Sequence, residues 1–124
     1  MPRVRAVFVA AAAALLGGCI SGYIAFGPGD DPPSVSLAAS PSSAARGETI
    51  GLVAAANDDY LVVEVAFYRV DANGSTFLGR DSSAPYTLNT VVPAGAGTEV
   101  RYMARAIDDA GQRGDSQAVS VSVR

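Results

Sequence analysis

The sequence predicts an all-β sandwich from Ser34 to the C-terminus, and three observations carry the prediction. Seven short segments there alternate apolar residues with polar or small ones, the period of a strand with one buried face. Clusters of Pro, Gly, Asn, Asp and Ser separate these segments at short intervals, as turns between antiparallel strands require. No stretch after Ser34 carries a convincing helical repeat. Short strands in that number, punctuated in that way, are the pattern of two packed antiparallel sheets.

Each element follows from its residues. Val35-Ser36-Leu37 alternates briefly and meets Ser40-Pro41-Ser42-Ser43. Thr49 to Ala56 carries Ile50, Leu52 and Ala54 on one face. Val62 to Val70 presents Val63, Val65 and Phe67 to one side and Glu64, Ala66 and Tyr68 to the other. Asp71-Ala72-Asn73-Gly74 reads as a hairpin turn built on the Asn-Gly pair. Thr76 to Gly79 is a short strand, broken by Asp81-Ser82-Ser83-Ala84-Pro85. Tyr86 to Val92 resumes the alternation until Pro93-Ala94-Gly95-Ala96-Gly97. Glu99 to Ile107 sets Val100, Tyr102, Ala104 and Ala106 against Arg101, Met103 and Arg105. After the turn Asp108-Asp109-Ala110-Gly111, Ser116 to Arg124 alternates most plainly, with Val119, Val121 and Val123 against Ser120 and Ser122.

The segment before Ser34 is of another kind. Arg3 and Arg5 precede a run of small and apolar residues from Ala6 to Leu15, which ends in Leu16-Gly17-Gly18-Cys19. A charged start, an apolar stretch and a small-residue cleavage site are the parts of a secretory signal. These residues resemble the lipobox of bacterial lipoproteins, with Leu16, Gly17 and Gly18 leading to the modified cysteine. The resemblance implies that residues 1–18 are a removed signal peptide and that Cys19 carries a thioether-linked diacylglycerol, usually with a third acyl chain on its new amino group. Two or more chains make attachment stable, where one holds only marginally. Two other readings of the same segment stand beside it. Ala6 to Phe26 is uncharged and long enough to cross a bilayer, which takes about 20 residues, so an uncleaved anchor is one; an ordinary cleaved signal is the other. All three place the domain outside the cytoplasm. Ile20 follows the cysteine, where an aspartate would resemble an inner-membrane retention signal, and this favours the outer membrane.

Residues 19–33 read as a lipidated tether. Gly27-Pro28-Gly29-Asp30-Asp31-Pro32-Pro33 resists both helix and strand ladder. Flexible chain of that length spans about 20 Å on average and roughly 50 Å at full stretch. Residues 34–124 are then the domain. The net charge of the whole chain, −3, becomes more negative once Arg3 and Arg5 are removed, which does not suit nucleic acid and gives no electrostatic help on anionic lipid. With the one cysteine acylated, no disulfide can form inside the domain, and the fold rests on packing alone.

The order of the strand fragments resembles a bacterial immunoglobulin-like domain. The residues that carry the resemblance are Val65-Ala66-Phe67-Tyr68, Leu78-Gly79-Arg80-Asp81, Ala84-Pro85-Tyr86, the stretch Tyr102 to Gly111 and the Val-Ser-Val-Ser-Val end. It implies an immunoglobulin-like sandwich of about seven strands. The chain departs from the pattern in the longer turn after Val70, which leaves the local register open. Tyr102 lies two residues before Ala104, the spacing of a tyrosine corner, whose hydroxyl bonds nearby backbone. Phe67 takes the core position filled elsewhere by tryptophan.

The composition removes most chemistry. There is no histidine, and the cysteine is committed to lipid, so no nucleophilic triad and no zinc site of sulfur or imidazole ligands can be assembled. No catalytic residue is expected, and no cofactor beyond the covalent lipid on Cys19. Asn73-Gly74-Ser75 matches a glycosylation acceptor but reads as a plain turn. The one candidate ligand site is acidic. Asn57, Asp58 and Asp59 lie in the loop between the second and third segments, and Asp108, Asp109 and Asp115 in the last loop, at the same pole of a sandwich. Asp58, Asp59, Asp108 and Asp109 are the calcium candidates, since calcium takes about six to eight oxygen ligands. The alternative is that these residues serve turns by bonding their own backbone. Tyr60 and Tyr68 are the exposed aromatics that a glycan could stack on. The expected function is a non-catalytic, lipid-anchored cell-envelope module that contacts a protein or glycan, and the alternative is a structural or spacer lipoprotein of a larger envelope complex.

Overall fold

The computed structural model describes residues 31–124, and Pro32–Arg124 forms one compact unit within the chain. The expectations for residues 1–18, for Leu16, Gly17, Gly18 and Cys19, and for most of the tether lie outside the described residues.

Nine strands and no helix occur among the described residues. They are β1 (Ser34–Ser40), β2 (Ser43–Ala44), β3 (Thr49–Asn57), β4 (Val62–Asp71), β5 (Gly74–Asp81), β6 (Tyr86–Val91), β7 (Glu99–Asp108), β8 (Arg113–Asp115) and β9 (Val119–Val123). One antiparallel sheet has the order β1-β3-β6; the other runs β2-β9-β7-β4-β5, with β8 also paired to β7. The all-β sandwich is thus as expected, with two strands more than the seven read from alternation. Both extras are too short to show a period. β2 adds two residues parallel to β9, and β8 returns antiparallel along β7 straight after the Asp108 turn. The last strand is accordingly shorter than Ser116 to Arg124. The peptide bonds before Pro41 and Pro85 are cis.

The alternating residues meet between the sheets. Ile50, Leu52 and Ala54 from β3 face Val65 and Phe67 from β4 and Val100, Tyr102, Ala104 and Ala106 from β7, all buried, with Val121 closing the end. Phe67 is fully buried in the middle of this core, as expected. Burial of a side chain that size contributes about 1.5–3 kcal/mol, which matters in a domain without a disulfide.

Two irregularities change the faces read from the sequence. Val62 pairs with Asp108 and Glu64 with Ile107, so Val63 is an extra residue in β4. A bulge of this kind breaks the period of two. Val62 therefore packs against the core while Val63, expected inside with Val65, is 41% exposed. Further along, Phe67 pairs with Gly79 but Tyr68 with Phe77, which leaves Leu78 as the extra residue in β5, packed on the core. The turn after Val70 is tight: Asp71 pairs with Gly74 across a two-residue loop of Ala72 and Asn73, with Gly74 at a φ of 138°.

Ala66 faces outward as expected but is almost inaccessible. Its neighbours across the sheet are Arg80 on β5 and Arg105 on β7. The long arms of those arginines flank it on both sides, the usual way such side chains cover apolar surface.

Candidate functional site

Strand directions bring the acidic loops together. Ser34 pairs with Asn57 and Val62 with Asp108, so the start of β1, the end of β3 and the end of β7 share one end of the sandwich. The Asp109 amide donates to the Leu61 carbonyl (3.2 Å), which ties the two loops. One carboxylate oxygen from each of Asp58, Asp108 and Asp109 then lies within 4.8 Å of the others.

The three carboxylates are held differently. Asp108 ends β7 with only 3% of its surface exposed. Its Oδ1 accepts from the amides of Ala110 (3.0 Å) and Gln112 (2.7 Å), while its own amide donates to the Gln112 carbonyl. This aspartate therefore builds the turn, closed by Gly111 at a φ of 83°, a region where glycine meets no steric penalty. Asp58 is the opposite case. The residue is half-buried, and both of its carboxylate oxygens are shut off from solvent with no hydrogen-bond partner within ordinary distance among the described residues. Burial, with the neighbouring carboxylates of Asp59 and Asp108, pushes the Asp58 carboxyl above the usual carboxylate range. Asp59 is adjacent to the cluster without being one of the three that converge. Asp115 is turned to the outer face, where both its oxygens accept from Arg105, at 2.7 and 3.1 Å.

That outer face of the larger sheet carries a feature the sequence reading missed. Tyr68 and Phe77 meet edge to face with centroids 5.7 Å apart. The Arg80 guanidinium lies 5.3 Å from the Phe77 ring centre and the Arg105 guanidinium 5.3 Å from that of Tyr68. The result is a row, Arg80–Phe77–Tyr68–Arg105, running across β5, β4 and β7. Guanidinium over an aromatic face is an attractive arrangement. Phe77 is 48% exposed and Tyr60, in the acidic loop, 64%. Only the register of β4 with β5, shifted by the bulge at Leu78, puts Phe77 beside Tyr68; alternation alone could not show it.

At the other end of the sandwich, Arg69 donates from Nε to Asp71 Oδ1 (3.0 Å), and the Thr76 hydroxyl donates to Asp71 Oδ2 (2.9 Å). These partners hold the Asp71 carboxyl below its ordinary range. Arg69 and Asp71 line an open cleft of about 470 Å³ whose far side includes Pro93 and Gly95–Gly97. Tyr102, opposite Arg69 in the sheet, corrects an expectation. Its hydroxyl is buried and has no hydrogen-bond partner among the described residues, so it does not make the tyrosine-corner bond. The ring points into the core between the sheets, and burial raises the pKa of its hydroxyl.

Residues 33–104 match the family described as bacterial Ig domain. The chain belongs to that family. Among solved structures, this Ig domain is similar to the fibronectin(III)-like modules of CbhA from Clostridium thermocellum, with 28% identity and a TM-score of 0.57 over 72% of this chain and 93% of that one. It shares its fold with part of the pectate lyase Pel3 from Pectobacterium carotovorum (17% identity, TM-score 0.52, 74% of this chain and 27% of that one). The same holds for the sporulation control protein Spo0M from Bacillus subtilis (9% identity, TM-score 0.50, 76% of this chain and 50% of that one). No curated protein matches the chain. An Ig-like domain with fibronectin(III)-like neighbours is consistent with a non-catalytic module.

Proposed function

We propose that this protein is a lipid-anchored, non-catalytic Ig-like module of the bacterial cell envelope that contacts a protein or glycan. The observation that carries the reading is the joining of two parts in one chain: a Leu16-Gly17-Gly18-Cys19 leader and a bacterial Ig domain beginning at residue 33. Cys19 supplies the membrane attachment through acyl chains, and the tether after it keeps the domain near the bilayer. The outer membrane is the membrane favoured by Ile20.

The contact surface is the outer face of the larger sheet, where Tyr68 and Phe77 stand between Arg80 and Arg105. Aromatic and arginine side chains are the types most enriched in interface centres. An open sheet edge is the other usual route, by strand addition. Here the β6 edge is blunted, because the Thr87 amide already donates to Asp81 Oδ2 (3.0 Å). That favours the face over this edge.

Two measurements test the reading. Fatty-acid labelling of cells should mark the parent chain and leave Cys19→Ser unlabelled and larger by its uncleaved leader; equal labelling and size for both would remove the lipid anchor. Photo-crosslinking from position 77 should return one defined envelope partner or glycan. A scatter of unrelated neighbours would instead favour the spacer role.

A further inference from the structure

We propose that the loop between β3 and β4 rests, through Tyr60, Leu61 and Val63, in the headgroup layer of the bilayer that holds the chain, and that this lipid surface carries no net charge. The inference rests on the membrane attachment proposed above and adds to it an orientation and a second point of contact.

Exposed apolar residues are grouped at this loop. Six large hydrophobic side chains are exposed among the described residues. Tyr60, Leu61 and Val63 fall within four consecutive positions, while Val53, Phe77 and Val91 stand on three different strands. Single apolar residues on a surface are ordinary, but a contiguous group marks a contact. The fold also holds this group outward. The extra residue in β4 turns Val63 away from the core. The Leu61 carbonyl accepts the Asp109 amide, which ties the loop backbone to the neighbouring turn. That turn is itself fixed by the two amides on Asp108 Oδ1. The group is therefore ordered before contact, and little freedom is lost when it docks.

The occupant follows from where the chain enters the domain. Ser34 pairs with Asn57, and Tyr60 follows Asn57 by so few residues that about 11 Å of chain separates them at most. The strand β4 runs away from that end for ten residues, which sets the loops at its far end about 30 Å further off. The flexible stretch between Cys19 and the domain averages about 20 Å. Of the two ends, the one bearing Tyr60 is thus kept beside the bilayer. A tether that short gives an effective concentration of about a millimolar or more, so a contact too weak to hold a free domain is made by a tethered one. The residue types suit the layer: a tyrosine joins an apolar ring to a polar tip, the form enriched at membrane–water interfaces, and Leu61 and Val63 add apolar area. Charge then selects the lipid. Asp59 and Asp109 are exposed beside the loop and Asp58 is half-buried there, and an anionic surface would repel them.

The chain contains no tryptophan, so Tyr60→Trp places a single fluorescent reporter at an exposed position. The full chain with this substitution, isolated from cells in detergent with its anchor, is reconstituted into phosphatidylcholine vesicles; flotation and fatty-acid label are read on the same sample. The reporter's emission should shift to the blue and be quenched by lipids brominated high on the acyl chain, as an interfacial depth of about 5–10 Å requires. Phe77→Trp, on the outer face of the larger sheet, should show neither change. Adding Leu61→Ser to Tyr60→Trp should remove most of the quenching with the melting temperature unchanged. Phosphatidylglycerol vesicles should weaken the quenching, and 1 M salt should restore it, because the screening length falls to about 3 Å. Floating chain whose Tyr60→Trp reporter is quenched no more than that of Phe77→Trp overturns the inference and leaves the attachment standing. Chain that does not float overturns the attachment and the inference with it. Quenching as strong on phosphatidylglycerol at low salt overturns the assignment to a neutral surface.

Discussion

Replacing Tyr102 by phenylalanine separates the corner inferred from spacing from the arrangement found in the fold. Tyr102 lies on β7 between Val100 and Ala104, opposite Arg69 on β4 and Val119 on β9, and is 1% exposed. In a tyrosine corner its hydroxyl would hold a backbone group, and losing that bond would cost about 0.5–1.5 kcal/mol. Here the hydroxyl has no partner among the described residues. A buried hydroxyl in that condition costs about 1–3 kcal/mol, of which part returns when the oxygen is removed and part is lost as contacts around a small void. The expected outcome for Tyr102→Phe is a gain of about 1 kcal/mol. With a urea slope of about 1–3 kcal/mol per molar, the midpoint should move up by roughly 0.5 M. The melting temperature should rise by about 4–8 °C. Far-UV circular dichroism reads both transitions, and Phe67→Ala, expected to lose about 3–5 kcal/mol from the centre of the core, sets the scale. A loss of 1 kcal/mol or more in Tyr102→Phe, with the slope unchanged, would falsify the reasoning and restore the corner.

Other expectations follow from close approach and from charge. A Cβ at Gly114 on β8 would collide with the carbonyl of Pro33, backbone against backbone. Gly114→Ala should therefore cost about 1–3 kcal/mol, while Gly95→Ala, with nothing nearby, should be neutral or slightly stabilising; chemical denaturation of the pair checks the contrast. Acid stability should depend on Asp81, whose carboxyl is held below its ordinary 3.8 by the amides of Thr87 and Ser83. A depressed carboxyl contributes stability that is complete above the unfolded value and lost as pH falls through the folded one. The melting temperature should thus fall below about pH 4, and Asp81→Asn should flatten that fall; an unchanged acid profile would count against the role of these bonds.

The sequence by itself determined the class of the fold and most of the core. Alternation is a local property, and a face such as Ile50, Leu52 and Ala54 can be read without knowing what it packs against. Turn residues are local too, which is why the polar breaks at Pro93–Gly97 and Asp108–Gly111 mark real strand ends. The acidic pole was legible for a related reason: antiparallel order alone puts the loops after β3 and β7 at one end.

Register was not legible, and it decided the rest. One extra residue at Val63 and another at Leu78 shift which side chains share a face, and neither leaves a mark in the residue pattern because valine and leucine suit both sides. That shift sets Phe77 beside Tyr68 between two arginines, and turns Val63 outward. The state of individual polar atoms is likewise a three-dimensional matter. Spacing offered Tyr102 a bond that the packed core withholds, and composition offered six loop residues as equals. The fold divided them: Asp108 is bonded to its own turn, Asp115 is forked to an arginine, and Asp58 is half-buried beside the carboxylates of Asp108 and Asp109. Hydrogen bonding is short-ranged and directional, so which lone pair is met depends on distances of tenths of an ångström that only the packed sheets fix.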